Sequence, residues 1–261
     1  MAETSPFSID VEPNLRNPTL LMAYAGWGDG GEAATTAVKY LLKKLDAEPI
    51  ATLDTEEFLD FTVVRPYVRR RDDERIIRWP DHEFFAVKLP DRDSDLILGV
   101  GIEPHLRWKT YTRVFREFAE ALQVKLAILL GAYVGDVIYS QPIEIVGAAS
   151  DPDLADALGI EPSAYEGPTG ITGVLTDVLG RAGIPTASLW AALPHYISLS
   201  PNPRGSMALL ERVERATGLE FDFSGMLESV GHFDTSVTEM VKSDPELSAY
   251  VRELKRRAFS G

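Results

Sequence analysis

The sequence predicts a three-layer α/β/α fold on a mainly parallel sheet, and three observations carry that prediction. Short apolar runs alternate with amphipathic stretches of helical period, the pattern of strand–helix–strand units. The central runs are apolar throughout, as strands buried on both faces require. Gly- or Pro-bearing turns follow several of these runs, where an open α/β sheet hands its strands over to helices. At 261 residues, with 45% hydrophobic and 25% charged side chains, the chain is long enough to bury a substantial core. We expect an α/β domain over residues 1–221, with a charged β-rich insertion at about 54–95, and a small helical C-terminal appendage over 222–261.

A net charge of −14 argues against nucleic acid and anionic membrane as partners, because neutralising phosphate needs clustered Lys and Arg. The absence of cysteine excludes disulfides, thiolate metal sites and cysteine nucleophiles. Met1 to Asn17 lacks the basic start and long apolar stretch of a secretory signal, and no run approaches a membrane span, so a cytoplasmic location is expected.

Thr19 to Ala25 reads as a buried strand. The stretch Ala25-Gly-Trp-Gly-Asp-Gly-Gly-Glu-Ala-Ala34 then turns the chain into a helix with Ala34, Ala37, Val38, Leu41, Leu42 and Leu45 on one face. Asp29 and Glu32 are spaced as a capping box. Ile50 to Leu53 is a second strand, and Arg75 to Trp79 with Phe84 to Leu89 predicts a hairpin about Pro80-Asp81-His82. The blocks of opposite charge in Arg69 to Arg75 read as a solvated turn. Asp95 to Gly101 and Lys125 to Ala132 are strands flanking an aromatic-faced helix from Pro104 to Leu122, through Trp108, Tyr111, Phe115, Phe118 and Leu122. Ile143 to Ala149 continues the sheet. Asp151-Pro152 starts a short helix that stops at Gly159, the usual Pro-first, Gly-last arrangement. A second Gly-rich turn, Tyr165 to Gly173, opens a helix ended by Gly183; Thr186 to Leu193 is a strand, and Asn202-Pro203 starts a helix stopped by Gly218. Beyond Asp222 the pattern is helical only, with starts expected at Asp234 and at Asp244-Pro245.

In a parallel sheet, the turns at Gly26 to Gly31, Gly99 to His105 and Gly131 to Asp136 and the pair His195-Tyr196 share one edge. This makes Gly26, Trp27, Asp29, Gly30, Arg107, Asp136, Glu166, Thr169, Gly170 and Tyr196 candidate ligand contacts, and His105, His195 and Glu103 candidate acid–base groups. The first turn lacks the Lys-Ser/Thr of a P-loop and carries its own carboxylates, so a structural cap is favoured over a phosphate cradle. A ligand there would offer hydroxyls or a cation to Asp29. An anion would go to the Glu166-Gly-Pro-Thr-Gly170 turn, whose first helical turn has open N–H groups. His82, His105, His195 and His232 show no metal-binding spacing and no Gly-x-Ser-x-Gly elbow occurs, so neither a metal, a cofactor nor a serine nucleophile is expected.

Five stretches in order, Leu21 to Gly30, Gly101 to Trp108, Leu130 to Pro142, Tyr165 to Gly173 and Ser188 to Tyr196, resemble the bacterial branch of the PAC2 family, named for a proteasome assembly chaperone. The resemblance covers about Pro18 to Arg257. It implies a core similar to the nucleoside phosphorylase and peptidyl-tRNA hydrolase folds, a helical C-terminal addition, self-association with a trimer among the options, and proteasome subunits as candidate partners. The ending Arg257-Ala-Phe-Ser-Gly261 departs from the hydrophobic-Tyr-x tail of some archaeal relatives. Tyr139-Ser-Gln-Pro142 stands where bacterial relatives tend to carry His-Thr-Arg-Pro. Two readings of function follow: a homo-oligomeric protein-binding scaffold of the assembly-chaperone kind, and a small-ligand enzyme of the phosphorylase or hydrolase kind with its pocket at the strand ends.

Overall fold

The computed structural model describes residues 6–9, 13–160 and 165–258. In chain order the first half comprises β1 (Phe7–Ile9), β2 (Thr19–Ala25), α1 (Ala33–Lys44), β3 (Glu48–Leu53), β4 (Tyr67–Arg71), β5 (Glu74–Arg78), β6 (His82–Val87), β7 (Leu96–Ile102) and α2 (Trp108–Ala121). The second half comprises β8 (Leu126–Gly135), β9 (Ile145–Ala149), α3 (Pro152–Leu158), α4 (Ile171–Arg181), β10 (Thr186–Pro194), α5 (Pro203–Thr217), α6 (Ser224–Ser243) and α7 (Pro245–Ala258).

Eight strands form one sheet in the order β1-β3-β6-β7-β2-β8-β10-β9. The four central strands, β7, β2, β8 and β10, are parallel, and antiparallel strands extend the sheet on both sides. Because successive side chains alternate in direction along a strand, the apolar run of β2 serves two cores. Leu21 and Ala23 join the cluster under α1, α3 and α5, while Leu20, Met22 and Tyr24 join the one under α2 and α4. This is the three-layer α/β/α arrangement. The residues after 221 add α6, which contributes Met226 to the first core, and α7. Val237, Val241 and Val251 make a smaller cluster with Tyr139, Tyr196 and Leu247 around it.

Three local expectations are corrected. The hairpin pairs β5 with β4 instead of β6, because Asp72 (φ 49°) and Asp73 (φ 66°) supply the two left-handed residues of a tight hairpin turn. Pro80 is not a hairpin turn: β6 lies in the main sheet between β3 and β7, so of the strands within residues 54–95 only β4 and β5 stand outside it. Asp234 starts no helix, being interior to α6. Asp151, Asn202 and Asp244 do cap as their sequence positions suggest, each accepting from a backbone N–H two or three residues on.

Two buried polar groups pin the sheet. Asp95, 1% exposed on its side chain, accepts from the Arg16 guanidinium and from the N–H groups of Arg16 and Leu89; Arg16 holds its pKa down at about 2. His82, fully buried, donates from Nε2 to the carbonyl of Ile102 at 2.8 Å. Its Nδ1 must therefore accept, and Tyr111 Oη donates to it at 3.0 Å. Tyr24 Oη in turn donates to Tyr111 Oη at 2.7 Å. Every proton in this chain is assigned by the carbonyl at its end, which can only accept.

Burial pushes the His82 pKa down to about 4, below the ordinary value near 6.5. The unfolded chain therefore takes up this proton first. The stabilisation from the neutral ring is complete above about pH 6.5 and is lost as the pH falls towards about 4, a loss of about 3 kcal/mol. Denaturant unfolding between pH 7 and pH 4 should show a smaller decline for His82→Leu than for the wild type by about that amount. Parallel declines in the two proteins would remove His82 as the cause.

Candidate functional site

The C-terminal ends of the four parallel strands share one edge, and the sequence candidates lie along it. Gly26 begins the first turn at φ +137°, a backbone state that L side chains rarely adopt. From there the turn is gripped from two sides. Ala132 of β8 donates to the carbonyl of Gly28 at 2.8 Å, and Asn202 donates to that of Gly31 at 2.7 Å. Trp190 of β10 lies across the turn and across Gly131, where an added Cβ would meet its ring at 2.6 Å. The glycines at 28 and 131 thus make room for one indole.

Asp29 is 7% exposed. Its Oδ1 accepts from the N–H groups of Ala34 (2.8 Å) and Thr35 (3.2 Å), and its Oδ2 accepts from Thr35 Oγ1 at 2.5 Å. The capping box expected with Glu32 does not form. A 3-10 turn at Gly30–Glu32 intervenes, Glu32 takes a left-handed conformation, and Asp29 caps α1 from beyond it. Burial raises the Asp29 pKa, while the three hydrogen bonds oppose that rise.

The second turn is also supplied with an anion by the chain. Glu103, after β7, accepts from the N–H of Ile171 at 2.8 Å and so occupies the start of α4, where a bound anion was expected. Gly170 is buried between Glu103 and the ring of Trp27. Glu166 and Thr169 are exposed beside it.

His105 and Arg107 turn away from this centre. His105 Nδ1 accepts from the N–H of Asp60 at 3.0 Å, and Arg107 pairs with Glu57 at 2.5 Å; both fasten the loop that carries Phe58. The remaining candidates form a third group. His195 Nε2 lies 2.8 Å from Tyr250 Oη and 3.0 Å from Asp136 Oδ1, and Tyr250 donates to the same carboxylate at 3.1 Å. Tyr196 Oη bridges the carbonyl of Val137 and the N–H of Tyr139, both at 3.0 Å. Loss of hydration and the Asp136 carboxylate raise the Tyr250 pKa. Tyr250 was not a sequence candidate: it lies in the tail helix α7, and no motif marks it. The group ties α7 to the ends of β8 and β10.

Two surface cavities, of about 270 and 330 Å³, are lined elsewhere, the first by Asp54, Phe61, Trp79 and Asp81 among others, the second by Tyr40, Pro203, Met226 and Phe233 among others. None of the sequence candidates lines either. Among the described residues no group of three or more His, Asp and Glu side chains is placed to hold a metal ion, and no helix is long and apolar enough to cross a membrane. What the edge does present is apolar surface: Trp27, Leu106, Val134 and Tyr165 are each at least half exposed. Residues 259–261, with the end of the chain's terminal motif, lie outside the described residues.

The sequence model of the PAC2 family matches residues 23–241. A PAC2 family protein from Streptomyces avermitilis is similar to this chain at 38% identity and a TM-score of 0.84, over 90% of this chain and 99% of that one. The Mycobacterium tuberculosis proteasome-assembly chaperone homologue Rv2125 is similar at 35% identity and a TM-score of 0.81, over 89% and 99%. PbaB of Pyrococcus furiosus, an archaeal proteasome activator, shares the fold at 19% identity and a TM-score of 0.72, over 90% and 97%. No curated protein matches the chain.

Because Asp29 closes three buried hydrogen bonds, Asp29→Ala should destabilise the protein by about 1–2 kcal/mol. Asp29→Asn keeps an acceptor and should lose less. Urea unfolding of the two variants reads the difference, and an Asp29→Ala midpoint equal to that of the wild type would refute the capping role.

Proposed function

The chain belongs to the PAC2 family, and from that premise we propose that it is a cytoplasmic, homo-oligomeric protein-binding scaffold of the assembly-chaperone kind. Proteasome subunits are the first partners to test, since the M. tuberculosis relative is a proteasome-assembly chaperone homologue. The observation that carries the reading is the strand-end edge. Trp27 (68% exposed), Tyr165 (65%), Val134 (56%) and Leu106 (50%) lie on a frame whose polar groups are mostly satisfied internally. Four large apolar side chains exposed along one edge of the sheet suit protein binding better than small polar ligand binding.

The phosphorylase or hydrolase reading asks the same edge to bind a small polar ligand. Asp29 has both oxygens committed to α1, Glu103 covers the start of α4, and His105 is bonded to the backbone of a neighbouring loop. Groups held in this way support a scaffold more than a reaction centre, which needs convergent groups in a concave pocket. Thermal-shift screening with nucleosides, nucleotides and phosphate is therefore expected to be flat, and a saturable stabilisation by any of them would favour the enzyme.

The scaffold reading is checked by affinity capture of host proteasome subunits on the immobilised protein. Trp27→Ala combined with Tyr165→Ala should cut capture at least about tenfold, the loss of two aromatic anchors, with the melting temperature held. Absence of enrichment together with no effect on ring assembly in vitro would count against proteasome subunits as the partner.

A further inference from the structure

The β4–β5 ribbon is the one part of the described sheet structure without a core of its own. All five residues of β4 are exposed, and of β5 only Ile76 is half-buried. Two strands alone are marginally stable in water, so a ribbon of this kind calls for a surface to lie on. Its register shows which surface. Val68 stands opposite Ile77, and Arg70 stands opposite Arg75. These four share one face, since residues two apart on a strand point the same way. Like charges directly opposed across strands are unfavourable, and among the described residues neither Arg70 nor Arg75 has a carboxylate partner. The face is thus an apolar pair with two unneutralised guanidinium groups beside it. Five arginines against three acids make residues 67–78 basic, in a chain whose net charge is −14.

The complementary surface lies at the foot of the ribbon. Trp79, which follows β5, packs at a tilt against Phe61, ring centroids 5.1 Å apart, and both line the cavity of about 270 Å³ with Asp54, Glu56 and Asp81. All three carboxylates are exposed and none is in an ion pair among the described residues. Partial burial, Asp54 and Glu83 together raise the pKa of Asp81, as expected for carboxylates crowded without a cation. This groove offers aromatic faces and negative charge where the ribbon offers aliphatic side chains and positive charge. A ribbon of five residues per strand spans about 17 Å. Trp79 at its foot lines the groove, yet among the described residues no ion pair joins Arg70 or Arg75 to Asp54, Glu56 or Asp81 of the same chain, and Val68 and Ile77 stay exposed.

We infer that the β4–β5 ribbon is an exchange arm that docks on the Asp54–Glu56–Asp81 groove of a second copy of this chain. Arm and groove are adjacent, so a two-fold axis near Trp79 lets each copy's arm cover the other's groove, the self-complementary arrangement of an isologous dimer. Arg70 and Arg75 meet the carboxylates, and Val68 and Ile77 meet Phe61 and Trp79. The inference rests on the self-association proposed above and names the surface that performs it.

Analytical ultracentrifugation of the full chain over a range of concentration and salt tests it. The wild type should associate, and its dissociation constant should rise with salt because the contact is charged. Arg70→Glu with Arg75→Glu should weaken association at least tenfold with unchanged circular dichroism and melting temperature. Glu56→Lys with Asp81→Lys should do the same. Mixing the two double variants should restore a heterodimer, which a merely misfolded arm could not do. An assembled wild type whose association is untouched by either double variant would overturn the arm while leaving self-association standing. A wild type that is monomeric at every concentration would overturn both. A monomer that binds a single-stranded oligonucleotide through Arg70 and Arg75 would assign the arm to phosphate and overturn the proposal.

Discussion

Parallel pairing of β7, β2, β8 and β10 is the constraint from which the other features follow. Strands that run the same way cannot be joined by tight turns, so the chain must return over the faces of the sheet, and those faces are then covered by helices. Both parities of β7, β2 and β8 become core, as in β2, whose odd and even residues enter different clusters. The same geometry gathers the strand exits at one edge, which is why turns far apart in sequence come to touch. Ala132 meets Gly28 and Trp190 meets Gly131 for no other reason.

At that edge a helix start can bind an external anion, and this chain furnishes its own. Asp29 serves α1 and Glu103 serves α4. Their carboxylates satisfy N–H groups that would otherwise be left without partners, and each also fastens one element to another: Asp29 couples its turn to α1, and Glu103 couples the end of β7 to α4. His195, Asp136 and Tyr250 act similarly on the tail, fixing α7 to the ends of β8 and β10. Such an edge is stiff. Stiffness suits a binding surface, because little conformational freedom is left to lose on association.

The β4–β5 ribbon contrasts with that edge. Its two strands satisfy each other's backbone groups on one side only, and its side chains contribute almost nothing to either core. A segment that is ordered by backbone geometry yet unsupported by burial gains most from an external surface. The excess of arginine on the ribbon and of carboxylate on the body makes another copy of the same chain an electrostatically suitable one.

The sequence by itself determined the layers, because the alternation of apolar runs with helical periodicity is local and each element carries its own burial pattern. It also determined most helix ends: Asp151, Asn202 and Asp244 cap, and Gly159 and Gly218 stop, as short-range backbone chemistry dictates. Its five ordered motifs were enough to suggest the family that the comparisons show. Tertiary structure alone decided the rest. Whether β5 paired with β4 or β6 depended on which turn could close, and the left-handed pair Asp72-Asp73 outweighed the proline at 80. Asp29 looked like half of a capping box, but the 3-10 turn carried its carboxylate to Ala34 and Thr35. The start of α4 read as open because Glu103 lies 68 residues away in the chain. Tyr250 was silent for the same reason, its partners being 55 and 114 residues distant. Contacts of such separation leave no spacing in the sequence; only the parallel sheet, by bringing its strand ends to one edge, creates them.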